Sequence, residues 1–282
     1  MNAEKITRDS KSNLALAFVA LGRGRRADIT VFYAFCRVID DLADSTETTP
    51  EEKARSLAAW RKWIHARGPD EPALARDLRG LFAKYSITPP MLEEIIDGVE
   101  MDLRNVRYET FEELQRYCYR VASAVGLVSI EIFGYRNPAC RDYAIQLGFA
   151  LQMTNIIRDV GKDLDNGRIY LPQEDLPRFG YSEVDLRQRK QNDAFIRLME
   201  FEAARAEEFF SRAAALLPRE DRRSMVAAEI MGSVYRALLK RMKSDRFRVF
   251  EKEYRLSKIE KGGRIAGQFL RLFLNAGRGA SV

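Results

Sequence analysis

Apolar residues return every three or four positions through most of this 282-residue chain, the period of a helix with one buried face. The pattern predicts helices over Glu51–Ala66, Pro72–Lys84, Pro89–Leu103, Phe111–Phe133, Pro138–Lys162, Asp193–Leu217 and Asp221–Lys243, all of them rich in good helix formers. Start signals agree with several of these. Thr49 precedes Pro50, Thr88 precedes Pro89, and Thr110 with Glu113 has the spacing of a capping box. The strict alternation of a half-buried strand is not evident. One stretch breaks the period: Asp165-Asn166-Gly167, then Ile169 to Pro172, then Pro177 to Gly180, which reads as an ordered loop. No repeat, low-complexity tract or flexible linker interrupts the chain. The expectation is an all-α fold, one domain over residues 1–282, of roughly ten helices.

Composition narrows the chemistry. At 46% hydrophobic and 31% charged, with 3 cysteines and 9 prolines, the chain is neither disordered nor a disulfide scaffold. It has one histidine, His65, which excludes a zinc site with several His ligands and forces acids, bases and metal ligands onto carboxylates, Tyr, Lys or Arg. Cys36, Cys118 and Cys140 lie far apart among apolar residues, as suits a reducing compartment. The N-terminus is polar, and the longest apolar run, Leu14 to Leu21, is too short to span a bilayer. The expected location is the cytoplasm.

The net charge of +6 is uneven. Residues 236–282 hold thirteen basic and four acidic side chains, so residues 1–235 are slightly acidic. A basic C-terminal segment suits phosphate, an anionic membrane surface or nucleic acid. The stretch from Gly263 to Gly277 is amphipathic as well as basic, which favours peripheral membrane contact. No nucleic-acid reading motif is recognisable, so no nucleic-acid partner is expected. The oligomeric state is left open.

Two polar stripes interrupt otherwise apolar helices. In the run from Tyr33 to Asp44, Arg37, Asp40 and Asp44 fall within about 60° of azimuth at helical spacing. In the run from Gln152 to Asp163, the polar residues Gln152, Asn155, Asp159 and Asp163 are three, four and four apart, again one face. Either stripe alone fits a solvated helix surface. Both, however, sit on helices rich in Ile, Val and Phe, and each motif contains an arginine, Arg37 or Arg158. Like charges on buried helices are costly unless a metal or phosphate neutralises them. Oxygen-only ligands of this kind suit Mg²⁺, which usually completes its shell with water and substrate phosphate.

At this point the sequence resembles a known family, the squalene/phytoene synthases. The resemblance lies in FYAFCRVIDDLAD (Phe32–Asp44), YCYRVASAVG (Tyr117–Gly126) and LGFALQMTNIIRDVGKDLDNGRIYLP (Leu147–Pro172), with a shorter echo at Ser10–Ser12. It implies the all-α class I isoprenoid synthase fold, with helices around a central cavity. It also implies head-to-head condensation of two prenyl diphosphates. Two farnesyl diphosphates would give presqualene diphosphate, with onward conversion to squalene left open; the alternative is two geranylgeranyl diphosphates giving phytoene. Asp40, Asp44, Asn155, Asp159 and Asp163 would hold Mg²⁺, or Mn²⁺ in its place. Arg37, Gln152, Asn155, Arg158, Tyr235 and Arg248 would bind substrate. Tyr117 would stand near the reacting carbons. The catalytic set is then Tyr117, Arg37, Asp40, Asp44, Asp159 and Asp163. Where the family usually has an aromatic residue after Ser10-Lys11-Ser12, this chain has Asn13, which weakens any inference of chain length.

The proposed chemistry needs these residue types. An allylic diphosphate leaves when cations stabilise its charge, and the carbocation must meet its partner in a dry, oriented cavity. Leu127, Val128, Ile130, Phe149 and the small residues Ala122, Ser123, Ala124 and Gly126 are candidates to line it, with ordinary helix packing as the alternative. Onward reduction would need NADPH, which is left open. Gly22-Arg-Gly24-Arg-Arg-Ala27 fits a dinucleotide fingerprint by spacing, but no βαβ pattern surrounds it, and a turn between helices is the better reading. The Asp163–Glu174 stretch brushes the EF-hand pattern and fails it, with Gly at position five. His65 reads as a surface histidine.

Overall fold

In the computed structural model, Ala3 and residues 17–45, 47–104 and 107–277 are described; Ser10–Ser12 and Asn13 lie outside them. The described residues form helices and turns, with no strand. After a 3₁₀ turn at Phe18–Ala20, α1 runs from Arg23 to Asp44, starting at Gly22 rather than in any strand–turn–helix unit. It buries Ile29, Phe32, Phe35, Cys36, Ile39 and Ala43 at three- and four-residue spacing. Helix α2 (Pro50–His65) opens on the full capping box of Thr49 and Glu52, followed by α3 (Ala73–Phe82) and α4 (Pro89–Leu103). Thr88 marks the start of α4 without a side-chain cap. At α5 (Phe111–Cys118), Thr110 accepts from the amide of Glu113, while the Glu113 carboxylate caps the amide of Glu109 at 2.8 Å.

The single helix expected over Phe111–Phe133 is divided. A π-turn over Tyr119–Ser123 separates α5 from α6 (Ala124–Phe133). The cause is a close approach to the central helix α7 (Ala139–Asp165). A Cβ on Gly148 of α7 would stand 2.6 Å from Cα of Ser123, and the Ser123 hydroxyl donates to the carbonyl of Ile145 at 2.9 Å. Such π-turns are often found at functional sites. Gly126 approaches the carbonyl of Ala144 in the same interface, and Leu127, Val128 and Ile130 are buried. The small residues of this stretch therefore serve helix packing.

Helix α7 is 27 residues long, about 40 Å at 1.5 Å per residue. It is packed between α6 and α10 (Asp193–Leu216), with α11 (Val226–Ser244) also against it. The loop after α7 carries the short helices α8 (Asp175–Arg178) and α9 (Glu183–Arg187). Amides of Gln173 and Glu174 bond to the carbonyls of Tyr108 and Glu109, and Arg205 of α10 grips buried Asp175 at 2.5 Å. Asp221, expected to begin a helix, instead lies in a 3₁₀ turn, is buried and accepts from the amides of Arg136 and Asn137. The chain ends in α12 (Lys258–Gly277) against α11. Cys36, Cys118 and Cys140 are buried free thiols. Among the described residues no helix is long and apolar enough to cross a membrane.

Candidate active site

The two polar stripes meet. A cleft of about 260 Å³ is lined by Arg37, Asp40 and Asp44 from α1 and by Gln152, Asn155, Arg158, Asp159 and Asp163 from α7. Tyr117, at the end of α5, completes the set expected at its centre. Three further polar residues line it that the sequence reading did not single out: Asp102 of α4, and Arg168 and Tyr170 of the loop after α7. Asp102 sits at the polar end of an apolar helix, and Arg168 and Tyr170 lie in a segment without period. Spacing therefore gave no signal for any of them.

The loop reaches the cleft because Gly167 adopts φ +71° at the end of α7. That left-handed turn lets the Arg168 amide bond back to the carbonyl of Asp163 at 2.8 Å. The Arg168 guanidinium then pairs with Asp44 at 2.9 Å across 124 residues of sequence. On α7, Arg158 holds neighbouring Asp159 in a two-point contact at 2.8 and 2.5 Å. Burial works to lower the Arg158 guanidinium, but bonds to Asp159 and Tyr235 outweigh it and hold it above its ordinary range. Arg37 pairs with Asp41 at 2.5 Å while still lining the cleft.

The carboxylates crowd one another. Enclosure by the cleft walls, with Asp44, Asp41 and Asp102 nearby and Arg37 opposing, raises Asp40 to about 7. Enclosure and the charge of Asp159 raise Asp163 to about 7 against Arg168 and Lys162. Tyr117 is buried, and its hydroxyl donates to Asp102 at 3.0 Å; Tyr170 donates to the other Asp102 oxygen at 2.6 Å. The rings of Tyr117 and Tyr170 stack at 5.2 Å, and Tyr108 packs against both. Burial, then the charge of Asp102, pushes the Tyr117 phenol well above its ordinary value.

The residues fit a hard cation. Asn155 gives its amide NH to Gln152 at 3.3 Å, and its Oδ1 is buried with no hydrogen-bond partner, a shortfall that a bound ion would meet. Two carboxyls raised first by enclosure and then by neighbouring carboxylates point the same way. Among the described residues no three His, Cys, Asp or Glu side chains stand close enough together to hold a metal ion by themselves.

Two expected substrate ligands stand elsewhere. Tyr235 touches Arg158 from behind and does not line the cleft. Arg248 is outside it altogether, exposed on a separate depression and paired with Glu251. The cause is backbone: Arg246 and Phe247 both have φ +53°, a turn that buries Phe247 and leaves Arg248 at the surface. Of the apolar residues proposed as cavity lining, Phe149 lines a second, larger cavity of about 890 Å³, together with Met101, Tyr108 and Tyr119; the rest of that lining is polar, with acids such as Glu109 and Glu113 and arginines such as Arg107 and Arg116. His65 is at the surface, 2.9 Å from Glu93.

Helices enclosing a cleft in which acidic side chains face each other across a cation-hungry space define an all-α prenyltransferase. The squalene/phytoene synthase family profile matches residues 7–260, and the chain belongs to that family. It is 35% identical over 264 residues to a phytoene synthase of Mycobacterium tuberculosis, covering 92% of this chain and 86% of that protein. It is 36% identical over 231 residues to a presqualene diphosphate synthase of Rhodopseudomonas palustris, covering 81% and 82%. A crystal structure of a dehydrosqualene synthase with a bound ligand superposes with a TM-score of 0.84 at 27% identity, covering 96% of this chain and 95% of that one. The squalene synthase HpnC of Alicyclobacillus acidocaldarius superposes at 0.77 and 26% identity, covering 87% and 93%. The fold is the isoprenoid synthase fold. The family condenses prenyl diphosphates head to head and uses a divalent metal to ionise them.

Proposed function

We propose that this chain, acting as one prenyl-diphosphate synthase domain, condenses two farnesyl diphosphates into presqualene diphosphate. The observation that carries the reading is the single cleft in which the carboxylates of α1 and α7 meet Arg158, Arg168 and Tyr117. Asp40, Asp44, Asn155, Asp159 and Asp163 would hold Mg²⁺, or Mn²⁺ in its place. Bound there, the ion supplies electrostatic stabilisation of the departing diphosphate. Arg37, Arg158 and Arg168 add fixed positive charge to the same end of the cleft, and Gln152 orients Asn155.

Tyr117 presents an aromatic ring to cationic charge. Its phenol stays protonated at neutral pH, so it accepts the proton lost on cyclopropane closure only by passing its own to Asp102, already its hydrogen-bond partner. The small cleft suits diphosphates rather than two fifteen-carbon tails. The neighbouring larger cavity adjoins it through Tyr108, whose ring packs on Tyr117 and Tyr170, and the tails would lie against its apolar part, Met101, Tyr108, Tyr119 and Phe149. A second reading, condensation of geranylgeranyl diphosphates, is favoured by the likeness to phytoene synthases. Incubation of the purified chain and Mg²⁺ with each prenyl diphosphate, with and without NADPH, tests both readings. A C30 product from farnesyl diphosphate is expected. Phytoene from geranylgeranyl diphosphate with no C30 product overturns the choice of substrate, and the NADPH arm reads whether the reaction goes on to squalene. The long apolar chains of the product make a membrane surface the proposed place of action.

A further inference from the structure

Helix α12 packs Ile265 against the core but also spends polar side chains on it. Its polar side chains turn to the protein: Arg264 donates to the carbonyl and hydroxyl of Ser233 on α11 at 3.1 and 3.2 Å, and buried Gln268 donates to the carbonyl of Glu229 at 3.3 Å. Its apolar side chains Ile259 and Leu270 turn to solvent, 87% and 60% exposed. Four large hydrophobic residues are exposed among the described residues, and two of them are these. Eleven residues apart, they lie within about 20° of one another on the helix surface. Between them on the same face sit Gly262, Gly263 and Ala266, and a Cβ at either glycine would meet nothing within 4 Å. The face is open, three turns long and smooth.

Its margins are basic. Over Lys258–Gly277 the helix has four cations against one acid, Glu260; Lys258 and Arg271 flank the apolar face, about 100° and 120° around the helix from Ile259, while Lys261 and Arg264 lie on the side turned to α11. Glu260 is occupied by Arg241 and by the amide of Ser257. An apolar strip edged by cations complements a bilayer whose surface is anionic and whose interior is hydrocarbon.

We infer that the Ile259–Leu270 face of α12 docks the protein on an anionic lipid bilayer. The reason for docking rests on the proposed function, which releases an oily product, but the binding itself does not. The test is co-sedimentation of the full chain with vesicles of phosphatidylcholine containing about one third phosphatidylglycerol, and with phosphatidylcholine alone. The expected result is partition to the anionic vesicles that weakens with added salt. The double variant Ile259→Asp, Leu270→Asp should lose about tenfold or more of that partition while keeping its helical circular dichroism, melting temperature and turnover. An Asp159→Asn chain should bind vesicles like the unaltered protein, so loss of the enzymatic reading leaves this readout intact. Failure of the unaltered chain to bind anionic vesicles overturns the inference, as does equal binding by the double variant. A dimer seen by light scattering that the double variant splits, without vesicle binding, assigns the face to a second copy and overturns it too.

Discussion

Helices α1 and α7 both carry carboxylates one turn apart, and the two walls they form differ in how that charge is met. On α7 the neutralising cation is adjacent in sequence: Arg158 grips Asp159 from the next position, with Tyr235 behind it. On α1 it is imported, since Asp44 depends on Arg168 from the loop beyond α7. Asp40 has no carboxylate-specific partner of this kind, although Arg37 nearby opposes its rise. The Arg158–Asp159 pair is therefore set as soon as its helix forms. The other pair is complete only when the loop is pinned by Gln173, Glu174 and the Asp175–Arg205 pair. Identical spacing in sequence thus yields one wall with an ion pair of its own and one whose pairing reports on the folding of a distant segment.

Breaking the α7 wall should have the largest effect. Asp159→Asn is expected to lower turnover by about a thousandfold and to abolish its Mg²⁺ dependence; survival of both would remove the metal assignment. On the α1 side, Arg168→Met should lower kcat/KM about ten- to a hundredfold with little change in melting temperature. An Arg168→Met effect larger than that of Arg158→Met would reverse the ranking of the two walls.

The walls share a pH response. Asp40 and Asp163, both near 7 in the metal-free protein, hold protons there that the unfolded chain has released above about pH 4. The metal-free protein should therefore lose stability as pH rises from about 4 to about 7, read as a falling urea midpoint. Mg²⁺ must displace those protons, so its apparent affinity by titration calorimetry should fall as pH drops below about 7. An affinity flat between pH 5 and 8 would contradict the raised values. The smallest effect is expected behind the walls. Tyr170→Phe removes one of the two tyrosine bonds to Asp102 and should cost about 1 kcal/mol in chemical denaturation. Its effect on turnover should be smaller than that of Tyr117→Phe.

Much of this was legible along the chain. The helical period located α2, α4, α7 and α10 to within a few residues, and the stripes of α1 and α7 were readable because side chains three and four apart must share a face. The amphipathic, basic character of the last helix was visible as well, but not that its polar side would be spent on Ser233 and Glu229. Arg248 was misplaced because two successive left-handed residues, neither of them glycine, redirect the chain just before it. The π-turn was hidden because one extra residue per turn does not disturb the hydrophobic period enough to be read; its cause lies on another helix, at Gly148.

The sequence by itself determined that the chain is helical, that two of its helices carry stripes of carboxylate and amide oxygens, and that no site with several histidine ligands is available. These are properties of spacing and residue type within one helix, where neighbours are set by a fixed 3.6-residue geometry. Tertiary structure alone decided that the two stripes face each other, that Asp102, Arg168 and Tyr170 join them, and which face of α12 is left to solvent. Those contacts join residues far apart in sequence, up to 124 positions for Arg168 and Asp44, and depend on how whole helices pack.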